Sequence, residues 1–212
     1  MDTCCSNSCA GFDGAAPAYR RVLWIVIALN AGMFVVEMVA GHLGASQALK
    51  ADALDFLADA TTYGISLAVI GRPLIWRSRA ALLKGASLAL MALWVLGSTA
   101  WQVLGTGRPE AEVMGLVGLL ALAVNLTSVL LLLRWREGDA NVRSVWLCSR
   151  NDSIGNVAVM LAALGVLGTN TGWPDLVVAA IMAGLFLVSA VKILHQAADE
   201  KASLAAPHPS AL

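Results

Sequence analysis

The chain has 212 residues, 58% of them hydrophobic and only 13% charged, and its formal net charge is zero. A soluble domain carries about a quarter charged residues, so the composition points to a membrane bundle. It offers no basic surface for nucleic acid, and the length suits one bundle with little left over for a separate soluble domain.

The chain begins MDTCCSNSCAGFDGAAPAYRR, a polar stretch that holds Cys4, Cys5 and Cys9, three of the four cysteines. No positive region precedes an apolar core there, so it does not read as a cleavable signal peptide. Cysteines so distributed are not a disulfide framework. Residues 1–19 read as a cytoplasmic tail whose thiols either capture a soft metal in passing or are simply reduced and idle.

Six stretches qualify as spanning helices, which need roughly 20 mostly apolar residues. The first, Val22–Ala40, carries Asn30 and Glu37 on one face, with His42 just beyond its end. An amide such as Asn30 often serves only to hydrogen-bond between helices. Glu37 is harder to dismiss, because an ionisable group within a span needs a partner.

The second stretch, Ala48–Ile70, opens ADALDFLADA and carries Asp52, Asp55 and Asp59 at i, i+3 and i+7, all on one helical face. A carboxylate at mid-membrane costs at least about 2.5 kcal/mol, so such residues usually face a cavity or a partner. Asp52 either caps or pairs at the end of the span or belongs with the other two. Lys50 is close enough to that end to snorkel.

The third and fourth stretches, Leu82–Leu104 and Val113–Leu133, are more uniform, and Asn125, Thr127 and Ser128 in the fourth read as packing or interhelical glue. The fifth, Val145–Leu167, contains CSRNDSIGN, in which Cys148, Asp152 and Asn156 repeat at i, i+4 and i+8. A thiolate and a carboxylate one turn apart can chelate one cation, and two such pairs on facing helices supply the four donors of a tetrahedral zinc site. Thiolate softness suits zinc or cadmium over magnesium or calcium. The spacing equally allows Cys148 to be an ordinary buried cysteine acting as a small hydrophobe. Arg150 is expected to reach the interface or to pair with a carboxylate. The sixth stretch is Leu176–Leu194, and HQAADEKASLAAPHPSAL after it, residues 195–212, reads as a short, mostly disordered tail. His42, His195 and His208 read as solvated surface residues.

Charge sets the orientation. Arg20, Arg21, Arg72, Arg77, Arg79, Lys84, Arg134, Arg136, Arg143, Lys192 and Lys201 fall on one side of the six spans, and the opposite turns carry only Arg108. The positive-inside rule then puts both termini in the cytoplasm. The fold expected is an all-α membrane protein of six transmembrane helices, with residues 20–194 as the bundle.

The stretch LNAGMFVVEMVAGHLGASQALKADALDFLADA resembles the first two spans of the cation diffusion facilitator transporters, and WPDLVVAAIMAGLFL is similar to their sixth. The resemblance runs from about Arg20 to Leu194. It implies that a divalent metal binds between a pair on span two, Asp55 and Asp59, and a pair on span five. Aligned through Gly155–Val157, the second pair falls on Cys148 and Asp152. Cysteine stands where the family commonly has histidine, which leaves metal preference and proton coupling open. Family members also commonly carry a cytoplasmic ferredoxin-like domain after span six. The eighteen or so residues that follow here are too few for one, so dimerisation is expected to rest on transmembrane contacts.

The sequence therefore predicts a multi-pass protein of the bacterial inner membrane, not an enzyme, that exports zinc or cadmium out of the cytoplasm without a resident cofactor. Three carboxylates and a thiol packed together repel when ionised, so an arriving metal would displace protons, which suggests antiport. Asn30, Glu37, Asp52 and Asn156 are candidates for an accessory or proton-linked role. The expected partners are lipid, metal, protons and a second copy through the membrane. The rival readings are an intramembrane aspartyl-type enzyme and a membrane protein that binds or senses metal without moving it.

Overall fold

A computed structural model describes residues 16–68, 74–104, 108–137 and 140–205; within these, the side chains at 74–81, 84, 140–144, 147–148 and 196–205 are not described. The described residues form six α-helices: α1 (Pro17–Leu43), α2 (Gln47–Ala68), α3 (Leu74–Val103), α4 (Ala111–Leu132), α5 (Ala140–Thr169) and α6 (Trp173–Ala205). A short 3-10 turn, Leu133–Trp135, ends α4.

Helix ends follow the breakers. Pro17 sits in the first turn of α1, where a missing backbone donor costs nothing. Gly44 ends α1, its N–H bonding back to the Ala40 carbonyl at 2.7 Å. Pro109 lies just before α4, and Pro174 occupies the first turn of α6. α6 runs on to Ala205, past the span end expected at Leu194. AADEKASLA is rich in helix formers, and no proline intervenes before Pro207.

α1 and α4 each bury a narrow stripe. On α1 it is Tyr19, Leu23, Val26, Asn30, Met33, Glu37 and Gly41. On α4 it is Met114, Gly118, Ala121, Asn125, Ser128 and Leu132. The alternating steps of four and three keep one seam facing the bundle and leave the other faces to lipid. α2 differs: nearly every residue from Gln47 to Phe56 is buried. It packs against α1, α3, α5 and α6, while α3 pairs mainly with α6 and α4 with α5.

Among the described residues, five helices, all but α2, are long and apolar enough by themselves to cross a membrane. The expected second span ends at Val69 and Ile70, which lie outside the described residues. Lys50, Asp52, Asp55 and Asp59 make α2 polar, and its neighbours shield it from lipid.

The helices run alternately up and down. One end of the bundle, the terminal end, carries the start of α1 and the close of α6, where Gly85 of α3 packs on Leu194. The opposite end gathers the turns. There Glu110 N–H reaches the Gly44 carbonyl at 2.9 Å, and Arg108 bonds Asn170 at 2.6 Å. Ala45 and Asn170 take left-handed backbone in those turns. Gly41 allows α1 to press against the first turn of α2, since a Cβ there would meet Leu49 and Lys50 at 3.0–3.1 Å.

Candidate metal centre

Two hydrogen-bonded ties fix α5 antiparallel against α2. Nearer the opposite end, Asn156 Nδ2 donates to Asp52 Oδ2 at 2.7 Å. Nearer the terminal end, the Tyr63 hydroxyl lies 3.4 Å from the Val145 carbonyl and 3.3 Å from Ser149 Oγ. Between these ties the register puts position 152 level with Asp55 and position 148 level with Asp59. The two pairs expected from the sequence thus occupy the same height on adjacent helices.

A cavity of about 670 Å³ lies beside this level. Asp55, Asp59 and Asp152 all line it, together with Thr62 and Asn151. α6 forms another wall through Met182, Phe186 and Lys192. Along α6 its lining runs from Val178 to Ile193, and along α5 from Asn151 to Ala158. Asp55 and Asp152 are half-buried and Asp59 is 7% exposed. The Tyr63 hydroxyl donates to Asp59 Oδ2 and orients that carboxylate.

Among the described residues, no three His, Cys, Asp or Glu side chains converge closely enough to hold a metal. The side chain of Cys148 lies outside the described residues, as do Cys4, Cys5 and Cys9; the backbone of residue 148 is one turn before Asp152 on α5.

The accessory candidates form a different kind of cluster. Asp52 is 1% exposed and Glu37 is fully buried. Asn125 on α4 donates to Asn156 Oδ1 at 2.8 Å, and Asn156 donates onward to Asp52. Glu37 is a near neighbour of Asp52. Among the described residues, neither Glu37 oxygen has a hydrogen-bond partner. The hydrogen bonds join α2, α5 and α4 one turn from the cavity, with Glu37 of α1 beside them. Asn30 stands apart from it and donates to the Val26 carbonyl of its own helix at 2.8 Å.

Of the other polar candidates, Thr127 and Ser128 bond back to carbonyls of α4, and Asn125 is interhelical glue as expected. Arg150 leans on the Trp146 ring, its guanidinium carbon 5.4 Å from the ring centroid, and bonds Asn151, an amide and not a carboxylate. His42 and His195 are exposed, and His208 lies outside the described residues.

Tyr63 was not singled out from sequence, although it continues the Asp52, Asp55, Asp59 face by four residues. That continuation was the available signal. Nothing local marks Ser149, which meets Tyr63 only through packing of α5 on α2.

The family whose sequence model describes a cation efflux transmembrane domain matches residues 76–200. The chain belongs to the cation efflux, or cation diffusion facilitator, family. It is 28% identical over 187 residues to the metal cation efflux system protein CzcD of Cupriavidus metallidurans, an alignment covering 82% of this chain and 59% of that protein. It is 29% identical over 196 residues to the zinc transporter ZitB of Escherichia coli, covering 85% of this chain and 62% of that protein. It is 24% identical over 192 residues to a cadmium, cobalt and zinc/H(+)-K(+) antiporter of Bacillus subtilis, covering 83% and 61%. The chain spans about three-fifths of the length of these curated relatives. With its apolar helices, the family domain makes this a multi-pass integral membrane protein.

Proposed function

We propose that this chain exports a divalent metal cation, zinc or cadmium first, from the cytoplasm across the inner membrane. Asp55 and Asp59 on α2 and Cys148 and Asp152 on α5 are its ligands. The observation that carries this reading is the register of α5 on α2, with the two pairs level beside a cavity between α2, α5 and α6. By the charge bias of the sequence, the terminal end faces the cytoplasm, and metal enters the site from that side.

Carboxylate oxygens and a thiolate make a mixed donor set suited to a borderline-soft ion. Tyr63 holds Asp59 in place, which lowers the ordering cost when metal arrives. The relatives named for zinc, cadmium and cobalt support the same class of substrate. The chain acts as a carrier, not an enzyme, and no resident cofactor is assigned. Cys4, Cys5 and Cys9 act as accessory captors of metal, and copies of the chain associate through transmembrane contacts.

Proton exchange supplies the energy in this reading. Glu37 and Asp52 are linked to it because two neighbouring buried carboxylates repel unless one of them carries a proton. Asn156 holds Asp52 in that pair, and Asn30 is at most accessory.

Reconstituted zinc uptake into liposomes tests the reading. Transport should occur with zinc and cadmium and should fall when a pH gradient is collapsed. Binding without flux would overturn export. Flux indifferent to the gradient would overturn antiport and leave export standing.

A further inference from the structure

The metal reading leaves one buried carboxylate unused. Asp175, in the first turn of α6, is fully buried. Its Oδ1 accepts from Ser46 Oγ at 2.6 Å and from the Ala48 N–H at 3.0 Å. Its Oδ2 accepts from the Gln47 N–H at 2.8 Å. Ser46 Oγ in turn accepts from the Leu49 N–H at 3.0 Å.

The first amides of a helix have no partner within it. Ordinarily the helix's own N-cap side chain takes one of them. Ser46 does that for Leu49, while the two amides before Leu49 are taken by a carboxylate from another helix. A negative charge also suits that end of the helix dipole. The cap is thus a tether between α2 and α6.

The same two helices are walls of the cavity, α2 through Asp55, Asp59 and Thr62, and α6 through Met182, Phe186 and Lys192. They are pinned together at the start of α6, and beyond that point the cavity parts them, its α6 wall running from Val178 to Ile193. A transport pathway cannot open at the pinned end while the tether holds.

Resting on the transport reading above, we propose that Asp175 is a positioning residue: its clasp on Ser46, Gln47 and Ala48 holds α6 against the start of α2 and keeps that end of the bundle closed, and it releases when that end opens. The clasp acts through helix position and touches no metal.

Two double variants separate tethering from simple capping. Ser46→Asp with Asp175→Ala gives α2 a strong N-cap of its own but no partner on α6. Ser46→Asp with Asp175→Ser exchanges the two side chains and restores a hydroxyl–carboxylate bond of the same overall reach. In liposomes, the first variant should keep wild-type helix content and half-saturating zinc concentration. Its turnover should fall about tenfold, the weight of one hydrogen bond to a charged group. The exchanged pair should recover most of that turnover. Wild-type turnover in the first variant, or no recovery in the second, overturns the proposal.

Spin labels at the exposed positions Leu43 and Trp173, which flank the clasp, read the separation of these ends whether or not zinc moves. The longer-distance population should be clearly larger in the first variant than in the wild type or the exchanged pair. The same distance in all three proteins also overturns the clasp. If that population appears while even the wild type moves no zinc, the transport reading fails and the clasp stands.

Discussion

Asp52 and the pair Asp55 and Asp59 share one helix face and stand a turn apart, yet their surroundings differ. Asp52 is sealed, accepting an amide bond from Asn156 and lying beside buried Glu37, with α1, α4 and α5 closed around it. Asp55 and Asp59 border the open space of the cavity. Side-chain chemistry is the same, so access makes the difference. A carboxylate in a closed amide network is held by groups that specify the packing of four helices. A carboxylate on a cavity wall can take up an ion from outside.

Substitution should break these two environments differently. Asp59→Ala is expected to have the largest effect: zinc flux should fall by about 100-fold or more, since loss of even an outer partner of a ligand can cost that much affinity. The protein should still insert normally. Asp52→Asn keeps an acceptor for Asn156, so its flux should be reduced far less. A dead Asp52→Asn beside an active Asp59→Ala would reverse the assignment of the two regions.

Asp52→Ala removes the acceptor and orphans the Asn156 amide, costing about 1–3 kcal/mol of stability. Thermal unfolding in detergent measures that loss. If Asp55→Ala destabilised the protein as much as Asp52→Ala does, the contrast between closed network and open wall would fail.

Replacing Cys148 sharpens the cavity side. Cys148→His substitutes a harder donor, so zinc transport should survive while the cadmium-to-zinc ratio falls. Cys148→Ala should weaken both metals, because one of four donors is lost. The same ratio in wild type and both variants would remove Cys148 from the site. The smallest effect is expected for Asn125→Ala, at the far edge of the network. It should cost about 0.6 kcal/mol, the average for an interhelical hydrogen bond in a membrane, with flux unchanged. A loss of flux there would draw the network into the transport path.

Much of this was readable one residue at a time. The spacing of Asp52, Asp55 and Asp59 defined a polar face on α2, and apolar runs between prolines located the helices, because helical period and backbone breaking are local properties. The central place of α2 was not readable in that way. It is a polar helix, and the helices around it shield its carboxylates from lipid. Asp175 is a further case: a Pro-Asp at the start of α6 looks like a helix-start signal, and nothing in the sequence says that it caps α2.

The sequence by itself determined which residues carry donors and on which helix faces they stand, because a helix fixes the angle between its own side chains. Only the tertiary structure decided which donors face a cavity and which are sealed. That depends on the register of α5 along α2 and on the tie between α6 and α2, both made by contacts between residues about 80 to 130 positions apart. Such contacts leave no periodic trace in the chain, since each partner is satisfied by a residue whose distance in sequence is set by the loops and helices between them.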